Sequence, residues 1–124
     1  MKPKDLGKRG EYLARLYLEE KGYLFIRANF AAKGGEIDLV MQENDEIIFV
    51  EVKTRTFSSA SRYGRGALRI DAEKRQNIRR AAAVFLREET NLCKDLTPRF
   101  DAVELYLEDP DSKRVAVLHT PCAF

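Results

Sequence analysis

Cysteine is scarce in this chain. Two residues, Cys93 and Cys122, in 124 are too few for a disulfide framework. His119 is the only histidine. It and Cys122 are spaced like two zinc ligands, but the other two that a structural site needs are missing. Ser58, Ser59 and Ser61 have no neighbouring histidine to activate them, so serine nucleophile chemistry is not supported. No apolar run approaches the roughly 18 residues of a membrane span. Met1-Lys2-Pro3-Lys4-Asp5 leads straight into a charged helix rather than a signal peptide, which makes the cytoplasm the expected compartment. There is no glycine-rich phosphate cradle after a strand, since Gly7 and Gly10 sit in the charged first helix.

What is present suits one globular domain spanning residues 1–124, with 44% hydrophobic and 34% charged residues. The net charge is only +2, but it is unevenly spread. Residues 53–80 hold nine Lys and Arg against Asp71 and Glu73, a local +7 that leaves −5 for the rest. A cation-rich stretch of this kind suits a polyanionic partner.

The periodicity predicts a first helix from about Leu6 to Lys21, capped by Asp5, with Gly22 just past its end and Leu6, Leu13, Leu16 and Tyr17 inward. A strand over Tyr23–Ala28, a loop over Asn29–Gly35 and a hairpin follow. Thr54–Arg69 reads as a mobile basic loop. Asp71 caps a second helix reaching about Glu88, with Ile78, Ala82, Phe85 and Leu86 inward. Strands over Arg99–Leu107 and Arg114–His119 flank an Asp109–Ser112 turn. The order is αβββαββ, an α/β fold around a mixed five-stranded sheet flanked by helices.

The hairpin, Glu36–Lys53, carries the chemistry. A tight turn centred on Asn44-Asp45 sets Ile37 against Val52, Leu39 against Val50 and Met41 against Ile48 on one apolar face. A slip of one residue would destroy that pattern. The other face places Asp38 opposite Glu51 and Glu36 opposite Lys53. Directly opposed residues have Cβ atoms roughly 4.5–5.5 Å apart, and like charges that close are destabilising. A bound divalent cation would offset this, because Mg²⁺ is held by one or two carboxylates plus phosphate oxygens. Lys53, two residues past Glu51, shares its face.

Asp38, a twelve-residue gap and then Glu51-Val52-Lys53 resembles the PD-(D/E)XK nuclease signature, with Ile37 in place of the proline. The wider pattern resembles the YraN-like family of small bacterial predicted endonucleases. The resemblance rests on Gly7-Lys8-Arg9-Gly10-Glu11 with Ala14, Gly22-Tyr23, Arg27-Ala28-Asn29, Gly35-Glu36-Ile37-Asp38-Leu39, Phe49-Val50-Glu51-Val52-Lys53-Thr54-Arg55, Tyr63-Gly64, Lys74 and Arg99-Phe100-Asp101. It covers nearly the whole chain and is similar to the arrangement of archaeal Holliday-junction resolvases. It implies a restriction-endonuclease-like fold and metal-dependent cleavage of nucleic acid, with DNA the expected substrate.

On that resemblance Asp38, Glu51 and the Val52 carbonyl would hold Mg²⁺ (or Mn²⁺). Lys53 would orient the attacking water, and Glu11 would complete the acidic site. Glu36 would support the acidic pair or bridge to Lys53. Arg55, Arg62, Arg65 and Lys74 are candidate phosphate contacts. Asp101 shares a strand face with Val103 and Leu105, so it needs a buried partner. An Arg or Lys pairing is the main reading, and support of the acidic site the second. Symmetric cutting of two strands would need a homodimer. The alternative is a nucleic-acid-binding module that keeps the fold without cutting.

Overall fold

Helix α1 spans Pro3–Glu20 in the computed structural model, which describes residues 3–57 and 70–124. It starts earlier than the capping pattern predicts. Asp5 therefore lies in the first turn, where its charge complements the helix dipole, instead of capping the helix. The C-terminal end is as expected. Tyr23 N–H donates to Leu18 O and Gly22 N–H to Glu19 O, each at 3.0 Å, the paired bonds of a Schellman motif.

Five strands follow: β1 (Leu24–Ala32), β2 (Gly35–Glu43), β3 (Glu46–Arg55), β4 (Thr97–Tyr106) and β5 (Ala116–Thr120). Between β3 and β4 come helix α2 (Ala72–Glu88) and a short α3 (Thr90–Cys93). The sheet order is β1-β2-β3-β4-β5, with β3 and β4 parallel and the other neighbours antiparallel. This is the expected mixed α/β architecture, consistent with a nuclease-like fold. The small helix α3 is an addition within the connection expected before β4. The basic stretch predicted over Thr54–Arg69 is strand as far as Arg55, and Arg62 and Arg65 lie outside the described residues. No helix among the described residues is long and apolar enough to cross a membrane.

Two apolar layers sandwich the sheet. On one face Ala14 and Leu18 of α1 pack on Leu39, Met41, Ile48, Val50, Val103 and Leu105. On the other, Ile78, Ala81, Ala82 and Phe85 of α2 pack on Phe30, Ile37, Val40, Ile47 and Phe49. The inward stripe of α1 therefore runs through Ala14 and Leu18, with Leu6, Leu13 and Tyr17 beside it. Leu16, expected inside, is 38% exposed. Asp71 caps α2 as predicted, accepting from Lys74 N–H at 2.8 Å.

Residues 29–32, expected in a loop, extend β1. A two-residue turn at Lys33-Gly34, with Gly34 at φ +88°, brings Ala32 opposite Gly35. Gly35 is then pressed against α2, where an added Cβ would collide with the Asn77 carbonyl. That oxygen belongs to helix backbone and cannot swing aside. Gly35→Ala is expected to destabilise by about 1–3 kcal/mol, as overpacking does. Urea denaturation would check this, and an unchanged midpoint would mean that α2 is not seated on Gly35.

The hairpin register is the one the sequence predicts. Leu39 faces Val50, Met41 faces Ile48 and Glu43 faces Glu46, with Asn44 of the turn at φ +52°. Three expected pairings beyond Leu39–Val50 are not made in the β2–β3 ladder: Ile37–Val52, Asp38–Glu51 and Glu36–Lys53. Ile37 does not join Leu39 and Met41 against Val52, but turns to the α2 layer with Phe30. The face switches at Asp38. In the neighbouring strand Asn29, opposite Asp38 between the Ala28–Leu39 and Phe30–Ile37 pairs, adopts φ +53°. Alternation therefore breaks in both strands at the level of the acidic residues.

Candidate functional site

Beyond the Leu39–Val50 pair the β2–β3 ladder ends, and the Asp38 side chain takes over. Its Oδ2 accepts the Val52 N–H at 2.8 Å, a bond that a strand partner's carbonyl would otherwise supply. This ties the two halves of the motif together and leaves the rest of the carboxylate facing a cleft. The cleft is a depression of about 380 Å³ lined by Gly35, Glu36, Asp38, Glu51, Asp71, Lys74 and Asn77, among others. Glu51 is buried, at 7% exposure, and its Oε1 lies 2.7 Å from Lys74 Nζ. Lys74 thus faces the site from the first turn of α2 and neutralises one carboxylate. Glu51's hydrogen bond holds the Lys74 pKa above its ordinary value.

The acidic side chains influence one another. Burial, reinforced by the charge of Glu51, pushes the Asp38 carboxyl up to about 7, against the pull of the Val52 N–H. Burial also raises Glu11. A hydrogen bond from the Asn29 side chain opposes that rise, while the charges of Glu36 and Glu51 add to it. Glu11, Glu36, Asp38, Glu51 and Lys74 therefore form one electrostatic cluster, fed by α1, β2, β3 and α2. Among the described residues, no three Asp, Glu, His or Cys side chains converge as a preformed metal cage.

The raised Asp38 pKa has a sign for stability. The folded state binds this proton more tightly than the unfolded state, whose pKa is near 3.8. The favourable contribution is complete below that value and is lost as pH rises through about 7. Asp38→Asn keeps an oxygen for the Val52 N–H and removes the charge. It is expected to stabilise the fold by roughly 2–4 kcal/mol above neutrality and to change little near pH 4. Thermal unfolding of both proteins across pH would check this. An effect independent of pH would show that Asp38 is not held against its charge.

The other predicted residues are distributed as follows. Lys53 is exposed and lines a second depression with Gly7, Glu11, Val52 and Thr54. It makes no ion pair with Glu36 or any other described residue. Arg55, a candidate phosphate contact, is directed to Glu104, with Nε 3.6 Å from Oε1. Asp101 is fully buried and separate from the acidic cluster. Its oxygens accept from Arg99 Nε and Nη2 at 2.8 Å and from the Cys122 N–H at 3.0 Å, and lie 2.7 Å from His119 Nε2. Burial pushes its pKa up, but the hydrogen bonds from His119 and Arg99 prevail and hold it below the usual carboxylate value. The Arg pairing read from the sequence is thus present, and none of Asp101's partners is a cluster residue.

Two residues near the site are not among the candidates read from the sequence. Asn29 opposes the rise of the Glu11 pKa and takes a left-handed backbone, which asparagine tolerates; its one sequence signal is its place in the Arg27-Ala28-Asn29 block. Asn77 lines the cleft one turn after Lys74.

Comparison with known proteins agrees with the resemblance to the YraN-like family. The family model described as "Uncharacterised protein family UPF0102", the YraN family, matches residues 10–105. A UPF0102 protein of Caldanaerobacter subterraneus subsp. tengcongensis is 38% identical over 121 residues, covering 98% of this chain and 95% of that one. Another, of Syntrophomonas wolfei subsp. wolfei, is 37% identical over 89% of this chain and 91% of its own. A third, of Yersinia pseudotuberculosis, is 39% identical over 85% and 87%.

Proposed function

For a chain that belongs to uncharacterised protein family UPF0102, we propose the function of a metal-dependent endonuclease that hydrolyses DNA phosphodiester bonds. The observation that carries this reading is the pair of half-buried Asp38 and buried Glu51. The two carboxylates meet at the point where β2 leaves β3, with an exposed lysine two residues beyond the second. Retaining acidic groups at the expense of stability is typical of a working site.

The donor chemistry fits a hard divalent cation. Asp38 titrates near 7 because its charge is poorly compensated, which is the situation that a bound cation relieves. Asp38, Glu51 and the Val52 carbonyl would hold Mg²⁺ or Mn²⁺, with water and phosphate completing the shell. When bound, the cation supplies Lewis acidity to the phosphate and acidifies the attacking water.

The protein's own groups do the rest. Lys53 orients the water and stabilises the charge that builds on the phosphate oxygens. Glu11 adds a third carboxylate. Glu36 enriches the cleft in negative charge, and Lys74 restrains the Glu51 rotamer. The water oxygen bonds to phosphorus as the bond to the 3′ oxygen breaks, leaving a 5′-phosphate and a 3′-hydroxyl. Cutting both strands of a junction symmetrically would require two copies.

The test is cleavage of labelled four-way junction, flap, single-stranded and plain duplex DNA, with RNA counterparts, in Mg²⁺, Mn²⁺ or EDTA. Metal-dependent products that a ligase can rejoin are expected. The Lys74–Glu51 bridge at 2.7 Å favours one competing reading, a binding module whose acidic pair is already neutralised. Salt-sensitive binding with no cutting on any substrate would support it.

A further inference from the structure

A groove on the α1 side of the sheet shares only Glu11 and Asn29 with the site and chemistry above. It is a recess of about 250 Å³ between α1 and the edge strand β1, lined by Lys8, Glu11, Tyr12, Arg15, Ala28, Asn29 and Leu39. Its walls differ from the acidic cleft. Ala28 and Leu39 form an apolar floor, and Tyr12 stands over the rim with 51% of its surface exposed. Lys8, Tyr12 and Arg15 recur at helical spacing, so they share one flank of α1. Arg15 is braced, its guanidinium 3.7 Å above the Phe25 ring and its Nε 3.3 Å from Glu19. Arg9 lies 5.4 Å from the Tyr12 ring centre. Lys8 is exposed, and no described residue forms an ion pair with it.

The groove shares Glu11 with the depression that Lys53 lines. Glu11 also feels the charges of Glu36 and Glu51. Asn29, which lines the groove beside Glu11, sits opposite Asp38 across the β1–β2 pairing. A strand lying along Lys53 would meet Glu11, and beyond it this recess.

We propose that the groove between α1 and β1 takes an unpaired base of the substrate strand beside the scissile phosphate. The base stacks on Tyr12, and Lys8 meets the backbone. The inference rests on the nuclease reading and deepens it, because it assigns the enzyme substrates with a single-stranded segment at the cut. An aromatic face beside a cationic side chain is how proteins hold single strands without reading sequence. A base in a duplex is already stacked on both faces and cannot enter a recess of this size. Asn29 lines the same recess, and its side-chain amide can donate to or accept from a base edge.

The test measures binding without cutting. Oligonucleotides carrying 2-aminopurine as single strand, as flap and as plain duplex would be titrated in EDTA with the unmodified protein, Tyr12→Ala, Tyr12→Phe and Lys8→Ala. Tyr12→Ala is expected to weaken single-strand and flap binding about tenfold and to lose the fluorescence quench of stacking. Tyr12→Phe should keep both, and duplex binding should be unchanged. Equal weakening on duplex and single strand, or no change on any substrate, would overturn the proposal. Unaltered thermal unfolding of the variants excludes a folding defect, as the exposure of Tyr12 leads one to expect. Asp38→Ala in the same titration separates the two claims. If it retains the quench while the unmodified protein cuts nothing in Mg²⁺, the nuclease reading fails and the groove stands. If the protein cuts but no quench is seen, the reverse holds.

Discussion

Asp38→Ala is expected to lose cleavage by roughly 10³-fold or more, the scale of several kcal/mol of transition-state stabilisation. Binding of nucleic acid should persist or tighten slightly, since a negative charge has been removed from the path of a polyanion. The expectation comes from geometry. Asp38 Oδ2 is engaged with the Val52 N–H at 2.8 Å, so the carboxylate is fixed against the strand that carries Glu51 and Lys53. Alanine removes both the charge and that anchor. Lys53→Ala should lose roughly 10²-fold, because it deletes one stabilising donor and leaves the acidic pair intact. Single-turnover rates with anisotropy binding in parallel would check both. If Asp38→Ala cut at the normal rate, the acidic pair would not be the reacting centre.

The second large effect concerns the fold. Asp101→Ala is expected to destabilise by about 3–5 kcal/mol, the usual result of removing one partner of a buried ion pair. Arg99, which spans Asp101, Glu46 and Tyr23 through bonds of 2.7–3.0 Å, would lose its principal counter-charge. His119 would lose its acceptor. The Lys21 ammonium, 3.1 Å from Nδ1, can only donate, so Nε2 carries the proton that Asp101 receives. The Cys122 N–H would also be stranded, loosening the chain after β5 from β4. Because the folded-state pKa of Asp101 is lowered, its contribution is present above the ordinary carboxylate value and is lost as pH falls through the depressed one. The deficit of the variant should therefore be largest at neutral pH and shrink in acid. Chemical denaturation across pH measures it. Normal stability combined with lost cleavage would instead tie Asp101 to the acidic site.

The two halves of the molecule differ in how far their sequence announces them. The hairpin register was legible because both faces restrict it: Leu39, Met41, Ile48 and Val50 must share a layer, and a slip would bury charge. The second helix was legible because Asp71 caps it and its apolar spacing is regular. The face switch at Asp38 was not. It depends on Asn29 adopting a left-handed backbone in the adjacent strand, and nothing local to Asp38 encodes that. Residues 29–32 read as loop because Ala31, Ala32 and the glycines lack β-branched side chains, yet pairing with β2 extends the strand. The phase of α1 was misjudged at Leu16 because which stripe is buried depends on the sheet it lands on. The Lys74–Glu51 bridge joins segments far apart in sequence, so burial and pairing in three dimensions had to reveal it. The arginine partner of Asp101 lies two residues away and could be anticipated, whereas His119 arrives only through the pairing of β5 with β4.

The central claim is that Asp38 and Glu51 share a divalent cation, and calorimetric titration tests it most directly. Mn²⁺ would be titrated into the protein bound to a non-hydrolysable oligonucleotide, with Asp38→Asn and Glu51→Gln alongside, in two buffers of different ionisation enthalpy. Because the free Asp38 carboxyl titrates near 7, saturation at neutral pH should release protons, so the apparent heat should differ between buffers. Binding should be lost in both variants. Equal binding by all three proteins, or none by the unmodified one, would contradict the account.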